Sequence, residues 1–199
     1  MERAILHFWQ AEYWRCAARE LRNLRTICLA AVFAGLIVAI ETLYVPVGEN
    51  LRLMFSFLPL SLCGSICGPV VSMLVGVVSD VLGAALFPSG AFFPGYTLTA
   101  VVSTLLYGLF LYRQRITILR LFCCKLCVNL FANVLLNSVW SAVLMGKAYL
   151  YYLGKSVVKN ALLLPLETLL LALMFCALYP LLRRYGVAVR QKNRLVDFW

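Results

Sequence analysis

The sequence predicts an all-α membrane protein, with six transmembrane helices in one bundle and both termini in the cytoplasm. Composition, the spacing of apolar runs and the placement of basic residues carry this prediction. Of 199 residues, 63% are hydrophobic and 13% charged, whereas the apolar share of soluble domains is about 45–50%. At roughly 20 residues per span plus short loops, the length suffices for about six helices and leaves no separate catalytic domain. The net charge of +10 is unevenly spread, since fourteen of the eighteen Lys and Arg residues fall before the first apolar run, between two later runs, or after the last. An even number of spans puts all three regions on the cytoplasmic side, where lysines and arginines concentrate and meet anionic lipid. No basic patch is interleaved with stacking aromatics outside the membrane, so the charge does not indicate nucleic-acid binding.

Residues 1–25 mix five arginines with Glu2, Glu12 and Glu20, unlike a cleavable signal. Ile5, Phe8, Trp9 and Tyr13 recur at helical spacing, which predicts an amphipathic helix on the cytoplasmic membrane surface. The first span is expected over 26–45, ended by Pro46 and Gly48 in an external loop. The second covers 53–67, broken by Pro59 and closed by Gly68-Pro69; the third covers 70–86. After an uncharged loop rich in Phe, Pro and Gly come a fourth span over 97–112 and a basic loop containing Arg113, Arg115, Arg120 and Lys125. A fifth span runs from 116 or 121 to 144, an external loop covers 146–154, and a sixth runs over 156–182. The domains are thus a cytoplasmic segment (1–25), a transmembrane ligand-binding bundle (26–184) and a basic cytoplasmic tail (185–199).

Seven of the eight cysteines lie in or beside apolar stretches, as small buried hydrophobes do. The cluster Cys123, Cys124, Cys127 lacks a second cluster and a nearby His, so no metal site is expected. The single histidine, His7, lies in the N-terminal helix, which removes Ser-His chemistry from the membrane interior. No Walker-type phosphate loop is present, so ATP hydrolysis by that route is excluded. No cofactor is expected.

Ionisable and amide side chains in apolar spans are costly and mark function. Glu41, Asp80, Asn129, Asn133, Asn137, Lys159, Asn160 and Glu167 stand out. Glu41, Asp80, Asn137 and Lys159 share the outer half on the predicted topology, which suggests one polar cavity open to the outside, with Arg52 and Trp140 near its rim. The uncharged loop sets Phe92, Phe93 and Tyr96 around rigid Pro-Gly turns, as a lid over a flat, partly aromatic ligand would. In the first span the pairs Ala30/Ala34 and Ala31/Gly35 allow close approach of another helix.

The run from Arg52 through Ser56, Phe57 and Pro59, then Gly68-Pro69, Ser79-Asp80, Phe87-Pro88-Ser89-Gly90 and Phe93-Pro94-Gly95-Tyr96-Thr97-Leu98 resembles the folate-type substrate-binding (S) components of energy-coupling factor (ECF) vitamin transporters. Asn137-Ser138-Val139-Trp140, Gly146-Lys147 and Val158-Lys159-Asn160 are similar to that family's last two spans. The resemblance covers about residues 26–180. It implies an S-component bundle with an outward-facing vitamin pocket, and partnership with a transmembrane coupling subunit and two ATPase subunits. It also implies that the Ala30/Ala34 face meets the coupling subunit. Where the family pattern leads one to expect an arginine near the start of the sixth helix, this chain has Ser156 between Lys155 and Lys159.

The expected function is capture of folate, or a reduced folate, at a bacterial plasma membrane, by a subunit that is not itself an enzyme. The ligand set expected is Arg52, Ser56, Phe57, Asp80, Phe93, Pro94, Gly95, Tyr96, Asn137, Trp140, Lys155 and Lys159. Asp80 or Asn137 would meet the polar edges of the pterin, and Phe57, Phe93, Tyr96 and Trp140 would stack on rings. Arg52, Lys155 or Lys159 would neutralise carboxylates. Alternatives are an S component for another vitamin or flat heterocycle, a membrane enzyme acting on a lipid, and a structural subunit that binds no ligand.

Overall fold

The computed structural model describes residues 9–42, 44–48, 51–87, 93–145 and 149–184. Helix α1 (Ala11–Glu20) precedes α2 (Leu24–Glu41), a hairpin of β1 (Tyr44–Gly48) and β2 (Leu51–Met54), and α3 (Phe57–Leu86). Then come α4 (Pro94–Leu111), α5 (Ile118–Val128), a π-helical segment (Asn129–Leu136), α6 (Asn137–Met145) and α7 (Tyr149–Arg184). Five helical stretches are long and apolar enough to cross a membrane, with α5, the π segment and α6 counting as one. Their outer surfaces are apolar: Leu162, Leu166, Leu169 and Leu173 face outward at helical spacing along α7, as a lipid-facing stripe requires.

Helix α3 contributes two passes. Gly68 has φ +82°, in the left-handed region that glycine tolerates, and the chain turns back there. Contacts with α4 trace both arms. Gly68 lies against the ring of Tyr112, and Gly64 and Pro69 both meet α4 at Gly108. Farther on, Gly76 meets Thr104 and Ala100. Small residues at positions 64, 76 and 108 permit this approach, because a Cβ at any of them would stand within 2.9 Å or less of the neighbouring helix. The turn expected at Gly68-Pro69 is thus present, and with it the described helices make six passes.

Several expected boundaries move. Residues 44–54 form an antiparallel hairpin, pairing Tyr44 with Met54 and Pro46 with Arg52, so the first span ends at Glu41 and the second begins at Phe57. Tyr44, Val45 and Val47, with Leu51 and Leu53, supply apolar residues that serve strand or helix equally in so short a run. Pro59 does not break its helix. It is the third residue of α3, where a backbone N–H has no intrahelical acceptor to lose. Tyr149 to Gly154, expected in a loop, form the first turns of α7.

Helix α1 packs on the bundle. Tyr13 and Ala17 are buried with Tyr112, and the Tyr13 hydroxyl donates to the carbonyl of Gly108 at 2.9 Å. Glu20 accepts from Thr26 Oγ1 at 2.8 Å and from Tyr112 OH at 3.2 Å. The helix therefore covers the end of α4 beside the Gly68 turn. Its apolar face, expected to meet lipid, turns Tyr13 toward protein, while Trp9 stays exposed.

Lys125 is a second correction. Expected in a basic loop, it lies on α5, 2% exposed, with its ammonium 3.4 Å from Glu167 of α7. All eight cysteines are free thiols.

Candidate functional site

At the opposite end of the bundle from α1, the start of α4 meets an acidic group on its α3 side and an aromatic group on its α6 side. The loop before α4 ends at Phe93, whose backbone is extended, and Pro94 opens the helix at its first position, where proline's fixed φ favours helix initiation. Helical spacing from this start turns Thr97 toward α3 and Thr99 toward α6. Thr97 Oγ1 donates to Asp80 Oδ2 at 2.6 Å. Glu41, the last residue of α2, reaches the same place, since its Oε2 lies 3.0 Å from where a Cβ on Gly83 would stand, one turn beyond Asp80.

The aromatic part centres on Trp140 of α6. Its indole N–H donates to Thr99 Oγ1 at 3.1 Å. Its ring meets Phe93 edge-on, with centroids 5.6 Å apart, and Phe93 in turn meets Tyr96 at 6.1 Å. Both spacings are those of favourable edge-to-face pairs. Gly95 lies beneath them: a Cβ there would stand 2.6 Å from the Trp140 ring, so a side chain at this position would displace the indole. The result is an aromatic wall at the start of α4, able to stack on a flat ring, with Asp80 held on the α3 side of the same helix.

The expected ligand set divides accordingly. Phe93, Pro94, Gly95, Tyr96 and Trp140 come together, and Asp80 is tied to the same helix through Thr97. Asn137 is half-buried, three residues before Trp140 on the same helix. Ser56 precedes the first turn of α3 as its N-cap residue. The backbone of Arg52 lies in β2, and its side chain, like Phe92 and Lys147, is outside the described residues. Lys155 is exposed and Lys159 half-buried on α7.

Phe57 stands apart from the cluster. It is 7% exposed and packed with Tyr107, Leu111 and Leu171, and the Lys125 ammonium sits over its ring at 4.2 Å. Its stacking face is already occupied by a cation, a favourable partner for a ring. Ala30 and Ala34 also turn inward, against Cys63, Cys67 and Val71. The outward pair is Ala31 and Gly35, and nothing lies within 4 Å of a Cβ on Gly35. Sequence reasoning did not single out Thr97 and Thr99 as site residues. Threonine in a helix commonly bonds its own backbone, so only their partners distinguish these two.

The fold defines a multi-pass membrane protein with an aromatic cluster at one end of its helical bundle. Residues 25–178 match the family described as ECF transporter, substrate-specific component, and the chain belongs to that family. It is similar to the folate transporter FolT of Clostridium novyi, with 34% identity over 121 residues, covering 61% of this chain and 70% of the relative. It is also similar to FolT of Leuconostoc mesenteroides, 34% identical over 128 residues, covering 61% of this chain and 69% of the relative. Among solved structures, a crystal structure of FolT bound with folic acid matches with a TM-score of 0.68 and 27% identity, covering 75% of this chain and 91% of that one.

Proposed function

We propose that this chain is the folate-binding membrane subunit of an ECF-type importer, which captures the vitamin outside and passes it inward with ATP-hydrolysing partners. The carrying observation is the cluster of Phe93, Tyr96 and Trp140 at the start of α4, the helix that also holds Asp80 through Thr97, supported by the likeness to two folate transporters. A folate has a flat pterin with donors on its rim, a benzoate ring and an anionic glutamate tail. Asp80 accepts from the pterin donors, the three aromatics stack on the rings, and Asn137 and Ser56 add neutral polar contacts. Arg52, Lys155 and Lys159 supply the charge that the tail needs.

Partner docking uses the outer face of α2. The Ala31/Gly35 pair offers a neighbouring helix close backbone approach, whereas Ala30 and Ala34 hold α2 against α3. A transmembrane coupling subunit is the occupant of that face, and two ATPase subunits supply the energy. The basic termini and the loop after α4 face the cytoplasm and anionic lipid headgroups.

Titration of the purified protein with folic acid tests the reading, followed by heat or tryptophan quenching, with riboflavin and thiamine as controls. Saturable one-to-one binding at nanomolar concentration is expected. Tight binding of a control without folic acid binding would keep the fold and change the substrate.

A further inference from the structure

The polar residues that the binding cluster leaves unused form one connected ladder between α5, the π segment and α7. Lys125 Nζ lies 3.4 Å from Glu167 Oε2 and 3.5 Å from the Tyr107 hydroxyl. The same Glu167 oxygen accepts from Asn129 Nδ2 at 3.1 Å, and Asn129 Oδ1 accepts from Asn133 Nδ2 at 3.0 Å. The Asn133 carbonyl then accepts from Ser156 Oγ at 2.9 Å, and Asn160 Nδ2 donates to Ser156 Oγ at 3.2 Å and to its carbonyl at 2.8 Å. Lys125, Asn129 and Glu167 are all buried.

This ladder borders the one π-helical stretch among the described residues, Asn129–Leu136. Such a stretch accommodates an extra residue within an α-helix and is frequent at functional sites. Its consequence here is rotational. At 3.6 residues per turn, relaxation to α-helical register would turn everything downstream by about 100°. Downstream lie Asn137 and Trp140, the latter bonded to Thr99 and stacked on Phe93. A buried ion pair often adds no net stability over an apolar pair, and its best-attested role is to specify register.

We infer that Lys125 and Glu167 are positioning residues, which hold the π register of 129–136 through Asn129 and Asn133 and so aim Trp140 into the binding cluster. The affinity arm of the test below rests on the folate reading; the fluorescence arm does not.

The test uses the full chain carrying Trp9→Phe, Trp14→Phe and Trp199→Phe, so that Trp140 alone reports. Acrylamide quenching is measured without ligand, and folic acid is then titrated. Lys125→Met and Glu167→Gln should each change Trp140 quenching at least twofold and weaken folic acid binding tenfold or more. Because a lone buried charge can simply unfold the bundle, the decisive variant is Lys125→Met with Glu167→Met, which leaves no charge. It should melt near the parent temperature yet keep the altered quenching and weak binding. Deleting the exposed Leu135 in that background should restore both, by removing the extra residue that the relaxed helix no longer holds. Parent-like quenching in the charge-free variant would overturn the inference, as would failure of the deletion to restore Trp140. A parent protein that does not bind folic acid would count against the folate reading alone, and the quenching series would still decide the role of the pair.

Discussion

The indole N–H of Trp140 donates to the hydroxyl of Thr99 across 3.1 Å, joining α6 to α4, forty-one residues apart in sequence. Two positions away and on the opposite side of α4, Thr97 holds Asp80 of α3. Replacing Thr99 with Val keeps the shape and removes the acceptor. Folic acid affinity should fall about three- to tenfold, the range for one neutral hydrogen bond of ~0.5–1.5 kcal/mol. Trp140→Ala should lose more, since it removes the stacking surface as well. Calorimetric titration of both variants checks the order.

Asp80→Asn retains an acceptor for Thr97 but removes the charge. The expected loss is about 10- to 150-fold in folic acid affinity, equivalent to ~1.5–3 kcal/mol for a charge-assisted hydrogen bond. Unchanged affinity, with the protein still folded, would take Asp80 out of the pocket.

Gly95→Ala introduces a methyl where Trp140 and Phe93 leave no room. Because the collision involves the site and not the central packing, binding should weaken at least tenfold while the melting temperature stays within a few degrees. Thermal unfolding and titration of the same sample separate these effects.

The two faces of α2 make opposite predictions. Gly35→Trp points outward into open space, so it should spare folic acid binding and block uptake by whole cells. Ala34→Trp forces an indole among Cys63, Cys67 and Val71 and should lower the yield of folded protein, because overpacking a close-packed interior is destabilising. Normal uptake by Gly35→Trp would move the coupling subunit to another face.

Burial, and secondarily the neighbouring Tyr112, push the Tyr13 phenol above its ordinary value of 10.0. The folded state therefore holds this proton more tightly than the unfolded chain. The corresponding stability is fully present below about pH 10 and is lost as pH rises beyond it. Tyr13→Phe should cost about 1 kcal/mol near neutral pH through the lost bond to Gly108, and should flatten the alkaline decline. Thermal melts between pH 7 and 11 check both.

Much of the architecture was legible in advance because hydrocarbon imposes one rule on every span: backbone groups must bond internally and side chains must be apolar. That rule located the helices, Gly68-Pro69 located a turn, and the run from Phe93 to Tyr96 marked an aromatic cluster. Glu41 and Asp80 were visible as acids within apolar runs. The hairpin at 44–54 was not, since its apolar residues suit either periodicity. Lys125 looked like part of a basic loop because its partner Glu167 is forty-two residues away.

By itself, then, the sequence determined that the chain crosses a membrane about six times, where it turns, and which residues are too polar to face lipid. These are local properties, set by transfer of each side chain from water to hydrocarbon. Only the tertiary structure decided which polar residues meet. It put Thr97 on Asp80 and Thr99 on Trp140, gave Phe57 to Lys125, and turned Ala34 inward and Gly35 outward. Such choices depend on helix rotation and on the π segment at 129–136, where a shift of one residue turns a face by about 100°. Only long-range contacts select among those rotations.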